Sequence, residues 1–389
     1  MLMAGGESTT NEQILGREGV NDLDAILLVT NTERDEIIHD VKANSDVIFT
    51  WDYERARPNL GKLYEKAKTS QWNGLTDLPW DTQVDTESAF GHLMYMGGVG
   101  GEGGGMPVAG TPLEGTIVDK WGEKEWLEFG RESQNWMLSQ FMHGEQGALI
   151  CTAQIVETVP WIDAKYYAST QVMDEARHVE VFAKYLDEKL SGFYPINSHL
   201  RMLLDDIVSD SRWDITYLGM QIMVEGLALA AFGFMHQITP EPLLKQLLRY
   251  VMSDEARHVA FGVLSLQEFY KQLSDKEMRE RQEFAFEAAV RMRDRMLMQE
   301  VWDHMGVPVK AAMEMSINNP MQMVFQQMLF SKIVPNCKKL GLLDASGGWL
   351  RERYTELGVI QYEDWVDTSA EFEALDEVAK DREAAGATA

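Results

Sequence analysis

The chain has 389 residues, 45% of them hydrophobic, which is too apolar for wholesale disorder and enough for one large domain or two ordinary ones with a packed core. Its formal net charge of −27 repels phosphate backbones and argues against nucleic acid as a partner. Its two cysteines, Cys151 and Cys337, lie far apart; they support neither a disulfide framework nor a cysteine-based zinc site, and they fit a reducing compartment. The opening "MLMAGGESTTNEQILGREGV" lacks a basic stretch followed by an apolar one, so no secretory signal is read there. There is no unbroken apolar run of about 18 residues, so no membrane span is expected and the cytoplasm is the expected location.

Residues 1–30 are small, polar and weakly patterned. "NTERDEIIHDVKAN" (31–44) opens on a capping residue and early acids and predicts a helix start. "DYERARPNLGKLYEKAKTSQW" (52–72) reads as largely helical, with a kink or break at Pro58, and 73–85 is turn-rich. The glycine-rich 96–110 predicts a mobile loop. No Gly-Lys-Ser/Thr follows it and no strand-like run precedes it, so it does not read as a phosphate cradle. Together 1–119 form an N-terminal arm with helices.

From 120 onward helical periodicity dominates. Four long helices are predicted: 121–159, stopped by Pro160; 161–190, ended by Ser191-Gly192; 197–238, stopped by Pro240; and 241–273. Their short links make antiparallel neighbours. Two further helices, 275–305 and 319–343, are expected to pack on this core. The acidic 344–389 reads as a tail whose final residues, from 368, fray. No stretch reads as a strand. The expectation is an all-α protein: a four-helix bundle over 120–275, with accessory helices over 276–343.

The pentapeptide "DEARH" occurs twice, from Asp174 to His178 and from Asp254 to His258, 80 positions apart. On a helix, residues three apart share a face. Glu175 therefore projects with His178, and Glu255 with His258, so that each pair offers a carboxylate and an imidazole. Counting back 30 residues from each glutamate finds another, Glu145 and Glu225, inside the preceding helix. Glu225 sits in the almost wholly apolar "MVEGLALAAFGF", where a lone carboxylate would cost several kcal/mol unless a cation paired with it. One glutamate from each of two helices and Glu-x-x-His from each of the other two is the ligand set of ferritin-like di-iron and di-manganese carboxylate proteins. Carboxylates with imidazole suit iron or manganese, and four carboxylates balance two divalent ions. A metal-bound imidazole needs an acceptor for its other ring N–H. Asp174 is expected to serve His258 and Asp254 to serve His178, with Arg177 and Arg257 tying these acids together. His143, His199 and His236 lack this geometry and read as polar core or surface residues. The 23 methionines, dense between 292 and 328, read as packing.

In this combination the chain resembles the ferritin-like di-iron carboxylate oxygenase superfamily. The doubled D-E-x-R-H form is most similar to the large hydroxylase subunits of bacterial multicomponent monooxygenases. It also resembles the small subunit of ribonucleotide reductase and its oxidase relatives. "AKTSQWNGLTDLPWD" (67–81) is similar to a tryptophan-containing segment ahead of the bundle in several of these oxygenases. The resemblance is strong over 120–275 and weak over 50–85. It implies a ferritin-like four-helix bundle elaborated with additional N- and C-terminal helices. Its implied ligands are Glu145, Glu175, His178, Glu225, Glu255 and His258. They would hold two iron ions, or Mn/Fe, and activate O2 as co-substrate. The reaction expected is hydroxylation or N-oxygenation of a small, partly apolar organic substrate. No flavin or nicotinamide motif is visible, so electrons are expected from a ferredoxin or a flavoprotein reductase. A homodimer is the oligomer frequent in the superfamily. Residues one turn from the ligands, Phe141, Ala148, Leu149, Phe182, Leu229, Phe232 and Gly233, are the candidate substrate pocket. Phe182 stands where the reductase subunit carries its radical tyrosine, and the last tyrosine is Tyr362, both against a reductase role. Leu229 replaces a threonine frequent in the multicomponent hydroxylases, and Val251 replaces an extra histidine ligand common in the N-oxygenase branch. A Mn/Fe ligand-binding oxidase, an acyl desaturase and a ferroxidase are the alternative readings, and a purely structural bundle leaves buried Glu225 without a role.

Overall fold

The computed structural model describes residues 38–86, 115–190, 192–378, 380, 381 and 384, and among them there are helices and no strand. The long helices are α2 (Glu123–Thr158), α3 (Ile162–Glu188), α5 (Trp213–Ile238) and α6 (Pro242–Tyr270). α2 packs along α3 and α5 along α6, and the two pairs meet through α3 with α6 and through α2 with α5. α1 (Pro58–Thr69) lies across α3 and α6, and α4 (Ser198–Ser209) sits against α2. α7 (Asp275–Asp294) packs on α4 and on the start of α5. Around this core lie α8 (Gln299–His304), α9 (Val309–Ile317), α10 (Pro320–Met328), α11 (Ile333–Lys339), α12 (Ala345–Glu356) and α13 (Thr368–Glu371).

The hairpins explain the 30-residue spacing. Glu145 and Glu175 lie equally far from Pro160, and Glu225 and Glu255 equally far from Pro240. At about 1.5 Å per residue, antiparallel helices return the second glutamate to the level of the first. The ends are chemically fixed. Glu241 caps α6, accepting from the backbone N–H of Leu243 at 2.7 Å and Leu244 at 2.6 Å, with Pro242 in the first turn. Ser274 and Glu277 form a capping box at the start of α7.

Several expected elements are divided. Over 197–238 the chain breaks between α4 and α5, where the Asp210 carboxylate accepts from the N–H and the guanidinium of Arg212 and so competes with helical bonding. α5 then contains a π-helical turn, Leu218–Val224, directly before Glu225. Such a turn inserts extra backbone and changes which residues face the bundle interior. Over 275–305, α7 ends at Asp294, a 3₁₀ turn covers Arg295–Leu297, and Met298 is left-handed at φ 52° before α8. Over 319–343 a 3₁₀ turn, Leu329–Ser331, separates α10 from α11. Pro58 starts α1 rather than kinking it, because its missing N–H is harmless in a first turn. The helix start expected at 31–44 is not found over 38–44; 31–37, the glycine-rich 96–110 and Ser191 lie outside the described residues.

The tail does not fray where expected. Thr368, Asp376 and Val378 are buried. Asp376 accepts from Ser70 Oγ at 3.0 Å and lies 3.3 Å from Lys66 Nζ, while Ser253 on α6 bonds the backbone of Leu375 and Glu377. Trp213–Ile238 is long and apolar enough by composition to cross a membrane, contrary to the sequence reading, but 78% of its apolar window is buried inside the protein.

Two glycines separate close approach from spare space. A Cβ on Gly219 would stand 2.5 Å from Ile207 Cγ1, whereas one on Gly233 would meet nothing within 4 Å. Gly219→Leu should therefore destabilise by about 1–3 kcal/mol, while Gly233→Ala should stabilise by up to about 1 kcal/mol, both read by urea unfolding. Equal effects would contradict the packing described.

Candidate metal centre

Six side chains converge at the middle of the bundle. Glu145 comes from α2, Glu175 and His178 from α3, Glu225 from α5, and Glu255 and His258 from α6; none is more than 5% exposed. They form two overlapping groups, Glu145–Glu175–His178–Glu255 and Glu175–Glu225–Glu255–His258, each able to hold a metal ion. Glu175 and Glu255 belong to both. Glu175 turns Oε2 to His178 Nδ1 at 3.4 Å and Oε1 to His258 Nδ1 at 3.0 Å. Glu255 turns Oε1 to His178 at 3.1 Å and Oε2 to His258 at 3.5 Å. Glu145 Oε2 lies 3.3 Å from His178 Nδ1. Two carboxylates are thus shared, and each half adds one glutamate and one histidine.

The electrostatics fit cations. Burial, followed by repulsion from Glu255, pushes Glu145 and Glu225 well above the usual carboxylate range. Burial would raise Glu175 as well, but His258 and His178 outweigh it and hold it low. Burial would lower both imidazoles, yet the surrounding carboxylates push them well above their ordinary value. Protons are the only positive charge the cluster itself can recruit. Glu175 Oε2, Glu225 Oε2, both oxygens of Glu255 and His258 Nδ1 make no hydrogen bond although buried. Orphaned acceptors of this kind at one point, with a total of −4 from the carboxylates, suit two divalent ions.

The outer face of each imidazole meets the opposite repeat. His178 Nε2 lies 3.1 Å from Asp254 Oδ2, and His258 Nε2 lies 3.3 Å from Asp174 Oδ2. A proton held on each Nε2 leaves Nδ1 as the lone pair facing the cluster. Arg177 Nη2 donates to Asp174 at 2.5 Å and to Asp254 at 2.9 Å, and Arg257 donates to Asp254. Two acids and two guanidiniums make a buried, electrically neutral layer outside the histidines.

Other members of this layer have weaker sequence signals. Gln171, one turn before Glu175, donates through Nε2 to Glu175 at 3.0 Å and to Glu225 at 2.9 Å; its position on the ligand face was the available signal. Trp72 Nε1 donates to Asp254 at 2.8 Å and Gln71 Nε2 to Asp174 at 2.8 Å. Both lie in the tryptophan-containing segment. Arg257 Nη1 stands 3.7 Å from Asp376 in the tail, which no local pattern announces. His143 bonds the Tyr194 carbonyl, and neither it nor His199 nor His236 joins either group.

A narrow cleft adjoins the cluster. Of the candidate pocket residues Phe141 and Ala148 line it, with Val224, Ala228, Gln140 and Arg295 beside the glutamates. Leu149, Phe182, Leu229, Phe232 and Gly233 do not line it. Phe182 and Phe232 pack on Phe141, with ring centroids 6.3 and 4.7 Å from it, and fill that side as core. Leu149 and Gly233 are half-buried elsewhere on their helices.

Asp254→Asn should weaken metal binding by roughly 10- to 100-fold, because the acceptor that orients His178 and balances two arginines loses its charge. Competition titration with a chromophoric chelator measures this, and unchanged affinity would remove Asp254 from the centre.

The family model described as p-aminobenzoate N-oxygenase AurF matches residues 154–341. No curated protein matches. Among solved structures, an R2-like ligand-binding oxidase variant with an anaerobically reconstituted Mn/Fe cofactor is 18% identical, with a TM-score of 0.46, covering 74% of this chain and 94% of its own. An R2-like ligand-binding oxidase with an aerobically reconstituted metal cofactor after photoconversion is 16% identical, with a TM-score of 0.43, covering 82% of this chain and 95% of its own. The family match is to an N-oxygenase rather than to the multicomponent hydroxylases that the doubled motif most resembles, although buried Val251 supplies no extra imidazole. The all-helical bundle, the buried cluster able to hold two metals and the match over 154–341 together support an oxidoreductase of the ferritin-like di-iron carboxylate oxygenase superfamily.

Proposed function

We propose that this protein is a non-haem di-iron oxygenase that hydroxylates or N-oxygenates a small, partly apolar organic substrate, with electrons from an external ferredoxin or flavoprotein reductase. The observation that carries the reading is the sharing of Glu175 and Glu255 between two His-containing groups, with unbonded oxygens turned into the space between them. The proposed ligands are Glu145, Glu175, His178 and Glu255 for one ion, and Glu175, Glu225, Glu255 and His258 for the other. When bound, the metal pair supplies the electrons and the Lewis acidity that O2 chemistry requires. The balance is one oxygen atom into the substrate and one into water, with two electrons and two protons from the donor system.

The protein's own work is positional. Asp174 and Asp254 keep the Nε2 protons of His258 and His178, so each Nδ1 remains a lone pair. Gln171 holds Glu175 and Glu225 by one amide nitrogen. Phe141, Ala148, Val224 and Ala228 give the cavity an apolar wall that keeps bulk water from the reacting atoms. The family match to an amine-oxidising enzyme favours a nitrogen as the atom oxidised.

The test is anaerobic loading with Fe²⁺, metal analysis, and then admission of O2 while visible absorbance is followed. About two irons per chain are expected. A transient visible band should follow O2, and both should be lost in Glu225→Ala and His258→Ala. Metal analysis after loading with Mn and Fe together decides the native pairing. Iron binding that survives both substitutions would defeat the reading, and product mass from substrate-dependent O2 consumption distinguishes hydroxylation from N-oxygenation.

A further inference from the structure

The helix faces that carry the ligands are polar on one side of the metal centre and apolar on the other. Continued one or two turns toward the Pro160 end, they carry Tyr167 and Gln171 before Glu175, and Tyr217 and Gln221 before Glu225. Thr152 follows Glu145 by seven residues on α2, and Ser265 follows His258 by seven on α6. In the opposite direction the same faces carry Phe141, Phe182, Leu229, Phe232 and Val251. The polar stripes share one end of the bundle. Trp161 packs on Trp213 with ring centroids 5.1 Å apart, and Tyr167 and Tyr217 both pack on Phe261, at 4.5 and 5.0 Å.

All six polar residues are at most 2% exposed, and each leaves side-chain atoms without a hydrogen bond. These are the hydroxyls of Thr152, Tyr167, Tyr217 and Ser265, Oε1 of Gln171, and both Nε2 and Oε1 of Gln221. Each such atom has lost its hydration without replacement. Seven together rival the net stability of a domain, so ordered water is expected to bond them. The backbone makes room for Gln221, which lies in the π-helical turn: a Cβ on Gly262 would stand 2.6 Å from its Cβ. Burial pushes the Tyr167 and Tyr217 phenols up, so both remain hydroxyls that can accept and donate.

The row has an inner and an outer end. Gln171 donates to Glu175 and Glu225, and the Tyr167 hydroxyl lies in the field of His258 and Glu225. Ser265 faces the Tyr217 hydroxyl. Beyond them the unbonded hydroxyl of Tyr270 lies among the charges of Asp214, Arg281 and Arg212, and Arg212 is partly exposed.

We infer that ordered water joins these side chains into a file that relays protons from the surface at Asp214 and Arg212 to the metal centre. The relay rests on the oxygenase reading, whose balance requires two protons per turnover; the water does not. At each step a water or hydroxyl accepts one proton from its outer neighbour and passes one inward. One proton arrives for each taken from bulk, and nothing is oxidised or reduced. Gln171 and Gln221 orient the waters. The apolar side offers no hydroxyl, so the relay approaches the centre from one end only.

The test uses the full-length protein and its Tyr167→Phe and Thr152→Val variants. A crystal structure of the wild type should show waters bonded to Tyr167 and Gln221. Without iron, each variant should melt about 2–4 °C lower, because it loses a bond to water. Removing dry, unpaired groups would raise the melting temperature instead. After iron loading, both variants should hold as much iron as the wild type. The visible band that follows O2 should decay at least about 10-fold more slowly in them, with a larger solvent deuterium isotope effect. Variants that melt higher, or a wild-type core without water among these groups, overturn the file. Water present with unchanged band decay overturns the relay alone. A protein that binds no iron overturns the oxygenase reading and the relay with it, while the waters and the melting temperatures still decide the file.

Discussion

Repulsion among four carboxylates buried at one point governs this structure. Each of Glu145, Glu175, Glu225 and Glu255 is held away from water, and burying an ionised carboxylate alone costs several kcal/mol. Gathering four multiplies the penalty, which protons relieve partly and two divalent cations relieve fully. Everything around the cluster is consistent with keeping those charges in place. Two helical hairpins bring their glutamates to one level because Pro160 and Pro240 sit midway between the members of each pair. The imidazoles approach from α3 and α6, the second helix of each hairpin.

The layer behind the histidines solves a second electrostatic problem. Asp174 and Asp254 face the imidazoles, yet neither touches water. Arg177 and Arg257 provide the compensating charge, and Asp254 is held far below the usual carboxylate range: burial opposes its ionisation, but Arg257, His178 and Arg177 outweigh that. The guanidiniums are held in turn by neighbours from distant parts of the chain. Arg177 bonds Gln71 and the Trp72 carbonyl, and Arg257 reaches Asp376. The segment before the bundle and the tail after it therefore share one ion network with the centre. That coupling is the physical reason the acidic tail packs through Val378 instead of fraying.

What the sequence made legible follows from repetition and distance. The pentapeptide repeat and the 30-residue intervals are local regularities on amphipathic helices, so Glu145, Glu175, His178, Glu225, Glu255 and His258 stand out without any tertiary knowledge, and the crosswise pairing of Asp174 and Asp254 follows from the bundle's symmetry. Four bundle helices were legible for the same reason. The π-helical turn before Glu225 was not, because a widened turn is a compromise between packing and register that leaves no residue signature of its own. Nor were the breaks at Asp210 and Met298, which depend on side-chain bonding and on a left-handed residue with no glycine to announce it. Stepping one turn from every ligand assumes open space on all sides. Phe141, Phe182 and Phe232 fill one side with packed rings.

The two halves of the molecule are nearly equivalent at the metals and unlike beyond them. Repeated residues account for the ligands and their acceptors, and both repeats contribute one terminal glutamate, one shared glutamate and one histidine. The cavity breaks this equivalence. It is walled by α2 and α5, not by α3, with Glu255 the contribution of α6, and Arg295 joins the lining from a turn that has no counterpart in the repeat. The features that shape it are the non-repeated ones: the π-helical turn that ends at Val224, the buried side chain of Arg295, and the aromatic cluster that fills the far side. A symmetric metal pair can serve many oxidations, since its chemistry is that of the ions. Selection among substrates then falls to the asymmetric residues, which touch the cavity without belonging to either group of candidate ligands.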